Sequence, residues 1–189
     1  MTNKTEKIKW NTADLDFFPE DGKRYEIIDG ELIVTRAPHW KHQRVVMKIS
    51  NQLENWCQKT GLGEVTTAPG IIFTGADNVI PDVVWISLER LQNVLDEKGH
   101  LIDAPELIVE VLSKNKQDVE RDLEIKLKLY SNQGVQEYWV CDYEKKQIKV
   151  FAREKAALRL SATLFEQDNL STTLLPGFSC QVSQIFERN

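Results

Sequence analysis

Leu107-Ile108-Val109-Glu110-Val111-Leu112 is the stretch on which the fold turns. It is a short apolar run, rich in β-branched residues, of the kind that forms a strand covered on both faces. A segment of helical periodicity, residues 118–132, comes next. A second apolar run, residues 135–141, comes after that. Strand, helix and strand in that order make a crossover, and such a crossover joins parallel strands. Upstream, Pro81-Asp82-Val83-Val84-Trp85-Ile86 has the same form. Each run carries one carboxylate among residues that should be dry, and a buried carboxylate is costly unless a cation, a metal or hydrogen bonds compensate it.

The chain has 189 residues, enough for one domain with a substantial core. No apolar run approaches the ~20 residues that span a membrane, and the polar N-terminus does not resemble a secretory signal. We expect a leader over residues 1–11 and one domain over 12–189. Cys57, Cys141 and Cys180 are odd in number and show no CxxC spacing. This argues against a zinc site or a disulfide framework and for a reducing cytoplasm. The net charge of −5 argues against strong non-specific binding to nucleic acid. It leaves room for local basic patches, of which Arg36, Lys41 and Arg44 form one and the lysines after Ser113 another.

Around the deciding strands the pattern is consistent. Asp29-Gly30 lies between two β-prone runs, 25–28 and 31–35, and specifies a tight type I′ hairpin. Residues 41–59 form an amphipathic helix, with Val46, Ile49, Leu53 and Trp56 on one face and Gly61 and Gly63 ending it. Residues 12–20 suggest a short helix or turn capped by Thr12. Short strands are expected at 65–67 and 71–73, a helix capped by Ser87 at 87–95, a helix stop at Gly134 and a hairpin partner for 135–141 at 147–152. The expected class is α/β: a mixed β-sheet flanked by helices, with added β-hairpins.

Alternation places Asp82, Val84 and Ile86 on one strand face, and Ile108, Glu110 and Leu112 on another. If the strands are neighbours, Asp82 and Glu110 converge near one sheet end. Either acid alone reads as a strand end or loop cap; two on strands of similar form suggest a site. Oxygen ligands with little histidine suit Mg²⁺ or Mn²⁺. Metal-assisted hydrolysis also calls for a cation beside the acids. In the best-known arrangement a lysine stands two residues after the Glu, where this chain has Leu112. On the helical wheel Val119, Leu123, Leu127 and Tyr130 form the inward stripe. Lys126 falls inside it or at its edge, with Asp122 one turn before, whereas Arg121 and Lys128 fall opposite. Lys126 is therefore expected near the site; the alternative is a snorkelling lysine whose head reaches water. His42, one turn before Val46 on the apolar helix face, either packs as a hydrogen-bonded core histidine or touches the site. Glu26 and Glu31, on either side of the Asp-Gly turn, are accessory candidates.

Tyr25 to Leu32, His42, Pro81 to Val84, Pro105 to Ser113, Arg121 to Tyr130, Gly134 to Val140 and Leu175-Pro176-Gly177 occur in that order. Together they resemble the Uma family of restriction endonucleases, within the PD-(D/E)XK nuclease superfamily, over nearly the whole chain from Thr12. The resemblance implies a restriction-endonuclease-like core. Asp82 matches the Asp of the PD motif and Glu110 the acid of (D/E)XK. Lys126 matches the lysine that the family is thought to have moved to the following helix, and His42 matches a histidine frequent in its first helix. The resemblance further implies a Mg²⁺- or Mn²⁺-dependent DNA endonuclease. A homodimer is expected, since cutting both strands of a duplex calls for two active sites. Two other classes compete: a catalytically silent interaction module on the same fold, and a glycosidase using the same two acids, which would need an aromatic-lined cleft that nothing in the sequence suggests.

Overall fold

The computed structural model describes residues 8–113 and 121–186, without the side chains of residues 121 and 122. The chain opens with a 3-10 turn, Thr12–Phe17, whose cap is Asn11 rather than Thr12: the Asn11 side chain accepts from the Ala13 N–H, and Asp14 answers it from the first turn. Next comes the hairpin β1 (Arg24–Ile28) and β2 (Glu31–Thr35). Its turn residues Asp29 and Gly30 have φ of 50° and 70°, as a type I′ turn requires. Trp10 is tied to this turn through its N–H on the Gly30 carbonyl. The long helix α1 (Trp40–Thr60) ends where Gly61 adopts φ 64° and donates to Cys57.

Four short strands come next: β3 (Gly63–Thr67), β4 (Ile71–Thr74), β5 (Asp77–Val79) and β6 (Val83–Ser87). Helix α2 (Leu88–Val94), capped by Ser87, leads to β7 (Leu107–Val111). After β7 the expected helix has two parts: a π-helical segment, Arg121–Lys126, runs into α3 (Leu127–Gln133), which Gly134 stops at φ 91°. The first residues of the expected helix, among them Val119, lie outside the described residues. The chain closes with β8 (Glu137–Asp142), β9 (Gln147–Glu154), β10 (Ala157–Phe165), β11 (Asn169–Ser171), β12 (Ser179–Gln181) and the short helix α4 (Ser183–Phe186).

Six strands form the central mixed sheet in the order β10-β9-β8-β7-β6-β3, with β7 and β8 parallel as the crossover demands. A second sheet, β2-β1-β5-β4, is antiparallel, and β11 and β12 pair separately. Strand alternation divides the core. Val83, Trp85, Val109, Val111 and Trp139 meet the buried face of α1, formed by Val45, Val46, Ile49, Leu53 and Trp56. Val84, Ile86, Ile108, Leu112 and Tyr138 meet α3 and Ile28, Ile71 and Val79 of the second sheet. Every residue of β7 is buried because both of its faces are covered.

Gly63 does not end α1; it opens β3. A Cβ at this position would stand 2.7 Å from the Trp85 ring and closer still to the Ile86 carbonyl oxygen, so only glycine lets β3 approach β6 here. Gly63→Ala should therefore cost about 1–3 kcal/mol through overpacking. Gly75→Ala, where the added carbon meets nothing, should stay within about 0.5 kcal/mol of wild type. Urea denaturation of the two variants checks this; equal midpoints would remove the packing argument.

Candidate active site

Strand alternation puts Asp82 inside a strand, but in the structure it sits in a bend just before β6. The local chemistry explains the difference. Its backbone carbonyl accepts from the Ala68 N–H, while its carboxylate Oδ2 accepts from the Val111 N–H at 2.9 Å, standing in for a ladder carbonyl. The register that pairs Val83 with Val109 and Val84 with Ile108 brings the next positions, Asp82 and Glu110, opposite each other at the sheet end.

Each acid is held by a basic side chain. His42 Nε2, reaching in from α1, is 3.1 Å from Asp82 Oδ2, and Arg24 Nη1 donates to Oδ1 at 3.0 Å. Lys126 Nζ donates to Glu110 Oε1 at 2.7 Å and lies 3.1 Å from Glu26 Oε1. The Tyr130 hydroxyl donates to Glu110 Oε1 at 2.9 Å, and the Ile80 N–H donates to Glu26 Oε1 at 2.9 Å. Lys126 is 2 % exposed, so its ammonium is buried on carboxylates rather than snorkelling to water. Leu112, at the place where a lysine was sought, packs in the core between the central sheet and α3. Lys128 is exposed.

Burial alone would push the Asp82 carboxyl up. The His42 hydrogen bond and charge, the Val111 N–H and the Arg24 guanidinium outweigh it and hold the group below the usual carboxylate range. The His42 ring is buried, and among the described residues its Nδ1 has no hydrogen-bond partner.

Arg24, Glu26, His42, Asp82, Glu110 and Lys126 line one cavity of about 480 Å³, which also takes in Ile80, Val111 and Tyr143. Thr35, Arg36, Pro38 and His39 form its outer part; Arg36 and His39 are exposed, and the His39 ring stacks against Tyr143 with centroids 6.4 Å apart. Of the accessory candidates, Glu26 is at the centre. Glu31 is exposed on β2, opposite Ile28, and does not line the cavity. Asp122 belongs to the π-helical segment, and its side chain lies outside the described residues.

The donor chemistry suits a hard divalent cation. Three buried carboxylates, all oxygen donors, share the cavity with Lys126, His42 and the partly exposed Arg24. The acids are nonetheless turned onto protein cations: among the described residues no three His, Cys, Asp or Glu side chains gather as a ligand cluster.

Known proteins share both the sequence pattern and the backbone. The family Uma2, described as "Putative restriction endonuclease", matches residues 12–183. The chain belongs to the Uma2 family. A crystal structure from Anabaena variabilis, described as "a putative nuclease belonging to DUF820", shares the backbone with a TM-score of 0.73, covering 93% of this chain and 97% of that one. At 16% identity it speaks for the fold. No curated protein matches the chain. The restriction-endonuclease-like fold expected from the sequence is thus the fold of this Uma2 protein.

Two groups at the site are absent from the sequence-based candidates. Arg24 shares a strand face with Glu26 by simple alternation, and Tyr130 lies one turn after Lys126; both signals were available. Removing the buried ammonium should take from Glu110 and Glu26 the cation they share, so Lys126→Met should cost about 3–5 kcal/mol. Adding Glu110→Gln should recover part of that loss, and strict additivity in a denaturation cycle would contradict the coupling. Because the Asp82 carboxyl is held low, its contribution is complete above the unfolded value of about pH 4 and is lost as pH falls through the folded value. The stability gap between wild type and Asp82→Asn should therefore narrow below about pH 4, as followed by urea midpoints across pH.

Proposed function

We propose that this Uma2 protein is a metal-dependent endodeoxyribonuclease, hydrolysing phosphodiester bonds of DNA with Mg²⁺ or Mn²⁺ held by Asp82 and Glu110 and with Lys126 as the third member of the site. The observation that carries this is the buried Lys126–Glu110 contact at 2.7 Å, at the sheet end where Asp82 stands opposite Glu110. A metal bound there would supply Lewis-acid charge at the phosphoryl oxygens.

The chain's own groups do the rest. The Lys126 ammonium orients the attacking water and offsets the charge that builds on the phosphoryl oxygens as the P–O bond to the sugar breaks. The Tyr130 hydroxyl fixes the Glu110 carboxylate from the α3 side. His42 and the Val111 N–H fix Asp82 from the α1 side and from β7. The surrounding apolar core limits water to the cavity and so strengthens each of these contacts.

We further propose a single domain over residues 12–189 preceded by a leader at 1–11, a twofold dimer that gives one site per strand of a duplex, and a cytoplasmic setting. Three buried free cysteines suit a reducing compartment. No described helix is long and apolar enough to cross a membrane.

A second reading, a nuclease fold that binds nucleic acid or protein without cutting, draws on the engagement of Asp82 by Arg24 and His42 and on the net charge of −5. Supercoiled plasmid separates the two. The nuclease should nick or linearise it with Mg²⁺ or Mn²⁺ and not with chelator, and Asp82→Ala, Glu110→Ala and Lys126→Ala should each lower the rate by at least about 100-fold. Equal cleavage by wild type and Asp82→Ala would refute the site. Metal-independent DNA binding that survives both acid substitutions, with no cleavage, would favour the second reading.

A further inference from the structure

We propose that Arg24 competes with the divalent cation for Asp82 and, once displaced, turns to a phosphate oxygen of the substrate. This rests on the metal-dependent reading of the site. The three basic side chains around the acids are not equivalent. Lys126 is buried and spans two carboxylates, and His42 is buried in the apolar face of α1. Arg24 differs from both in exposure, and from Lys126 in holding a single carboxylate. Its side chain is 27% exposed, and among the described residues its side-chain partner is Asp82 alone, through Oδ1 at 3.0 Å.

A guanidinium on Oδ1 and a divalent cation on the same carboxylate repel each other, so they cannot share Asp82 at full strength. Arg24 can give way at the least cost, because its stem stays in β1 while its head already borders solvent in the cavity. Swung off Asp82, the guanidinium remains in a cavity that a phosphodiester must enter, and its planar fork matches two phosphate oxygens. The residue would therefore exchange one anion for another, linking metal occupancy to substrate binding by charge alone.

The test measures metal and nucleic acid separately in wild type, Arg24→Gln and Arg24→Lys. Mn²⁺ binding is followed by the free-ion paramagnetic resonance signal. Affinity for a labelled DNA duplex is followed by fluorescence anisotropy with Ca²⁺ in place of the catalytic metal. Arg24→Gln should bind Mn²⁺ about tenfold more tightly and DNA about tenfold more weakly, about 1.4 kcal/mol in each case. Arg24→Lys, which keeps the charge but loses the fork, should shift both in the same directions by about threefold, and it carries the test if the Gln variant does not fold. Wild-type Mn²⁺ affinity in the variants would overturn the role of Arg24 and leave the metal site standing. No Mn²⁺ binding by any of the three proteins would remove both the metal reading and this inference.

Discussion

The buried ammonium of Lys126 is the constraint around which the rest of the molecule is arranged. It sits between Glu110 of β7 and Glu26 of β1, at 2.7 and 3.1 Å, and so joins the central sheet, the second sheet and the helical crossover at one point. Apolar packing tolerates small slips, but a buried charge pair does not, because a partner moved away leaves the other ion uncompensated in low dielectric. The β1–β2 hairpin therefore docks with Glu26 facing inward. The crossover must also deliver its lysine at the boundary between the π-helical segment and α3. Wide turns of this kind recur where a side chain has to be aimed rather than merely packed.

Much of this was legible in the sequence because the governing patterns are local. Glu110 in an apolar run, Asp-Gly between β-prone runs, and Gly134 after a helical stripe each act through neighbours a few residues away, and the β7–β8 crossover follows from element order. Lys126 was legible for a further reason: an ammonium on the inward arc of an amphipathic helix contradicts the pattern around it, so it signals a partner. What escaped depends on pairing at long range. The second sheet relies on β5, three residues beginning Asp77-Asn78, too short and too polar to announce a strand. Strand β10 leaves little trace in the sequence, because an edge strand with one exposed face carries little apolar alternation. The bend at Asp82 could not be read either, since it depends on the Val111 N–H across the sheet.

The electrostatics of the site bear on how an acidic protein would take the proposed phosphodiester substrate. The net charge of −5 belongs to the chain as a whole, whereas in the cavity Arg24, Arg36 and Lys126 balance the carboxylates of Glu26, Asp82 and Glu110. A phosphodiester responds to the local field, which a concave low-dielectric wall focuses, more than to the distant surface charge that salt screens. On the proposed reading a divalent cation added to this balanced wall turns it positive, while acidity outside the cavity disfavours loose adhesion along nucleic acid. This fits the family to which the chain belongs and the nuclease fold it shares.

Topology explains why the site lies where it does. Glu110 is the penultimate residue of β7, and Tyr143 follows directly on β8, so the cavity opens at the carboxyl ends of the parallel pair. At that end the chain must leave both strands in the same direction, which keeps neighbouring loops from filling the space and leaves a crevice for a ligand. The antiparallel neighbour β6 enters from the opposite direction, so its first residues, not its last, reach the same edge. That is why Asp82, just before β6, and Glu110, near the end of β7, meet although 28 positions of chain separate them. An acid at the far end of β6 would face the opposite edge of the sheet, beyond the reach of Lys126. The pairing of one parallel and one antiparallel neighbour on β7 is thus what gathers the two carboxylates, and a fully parallel sheet with the same strand sequences would have separated them.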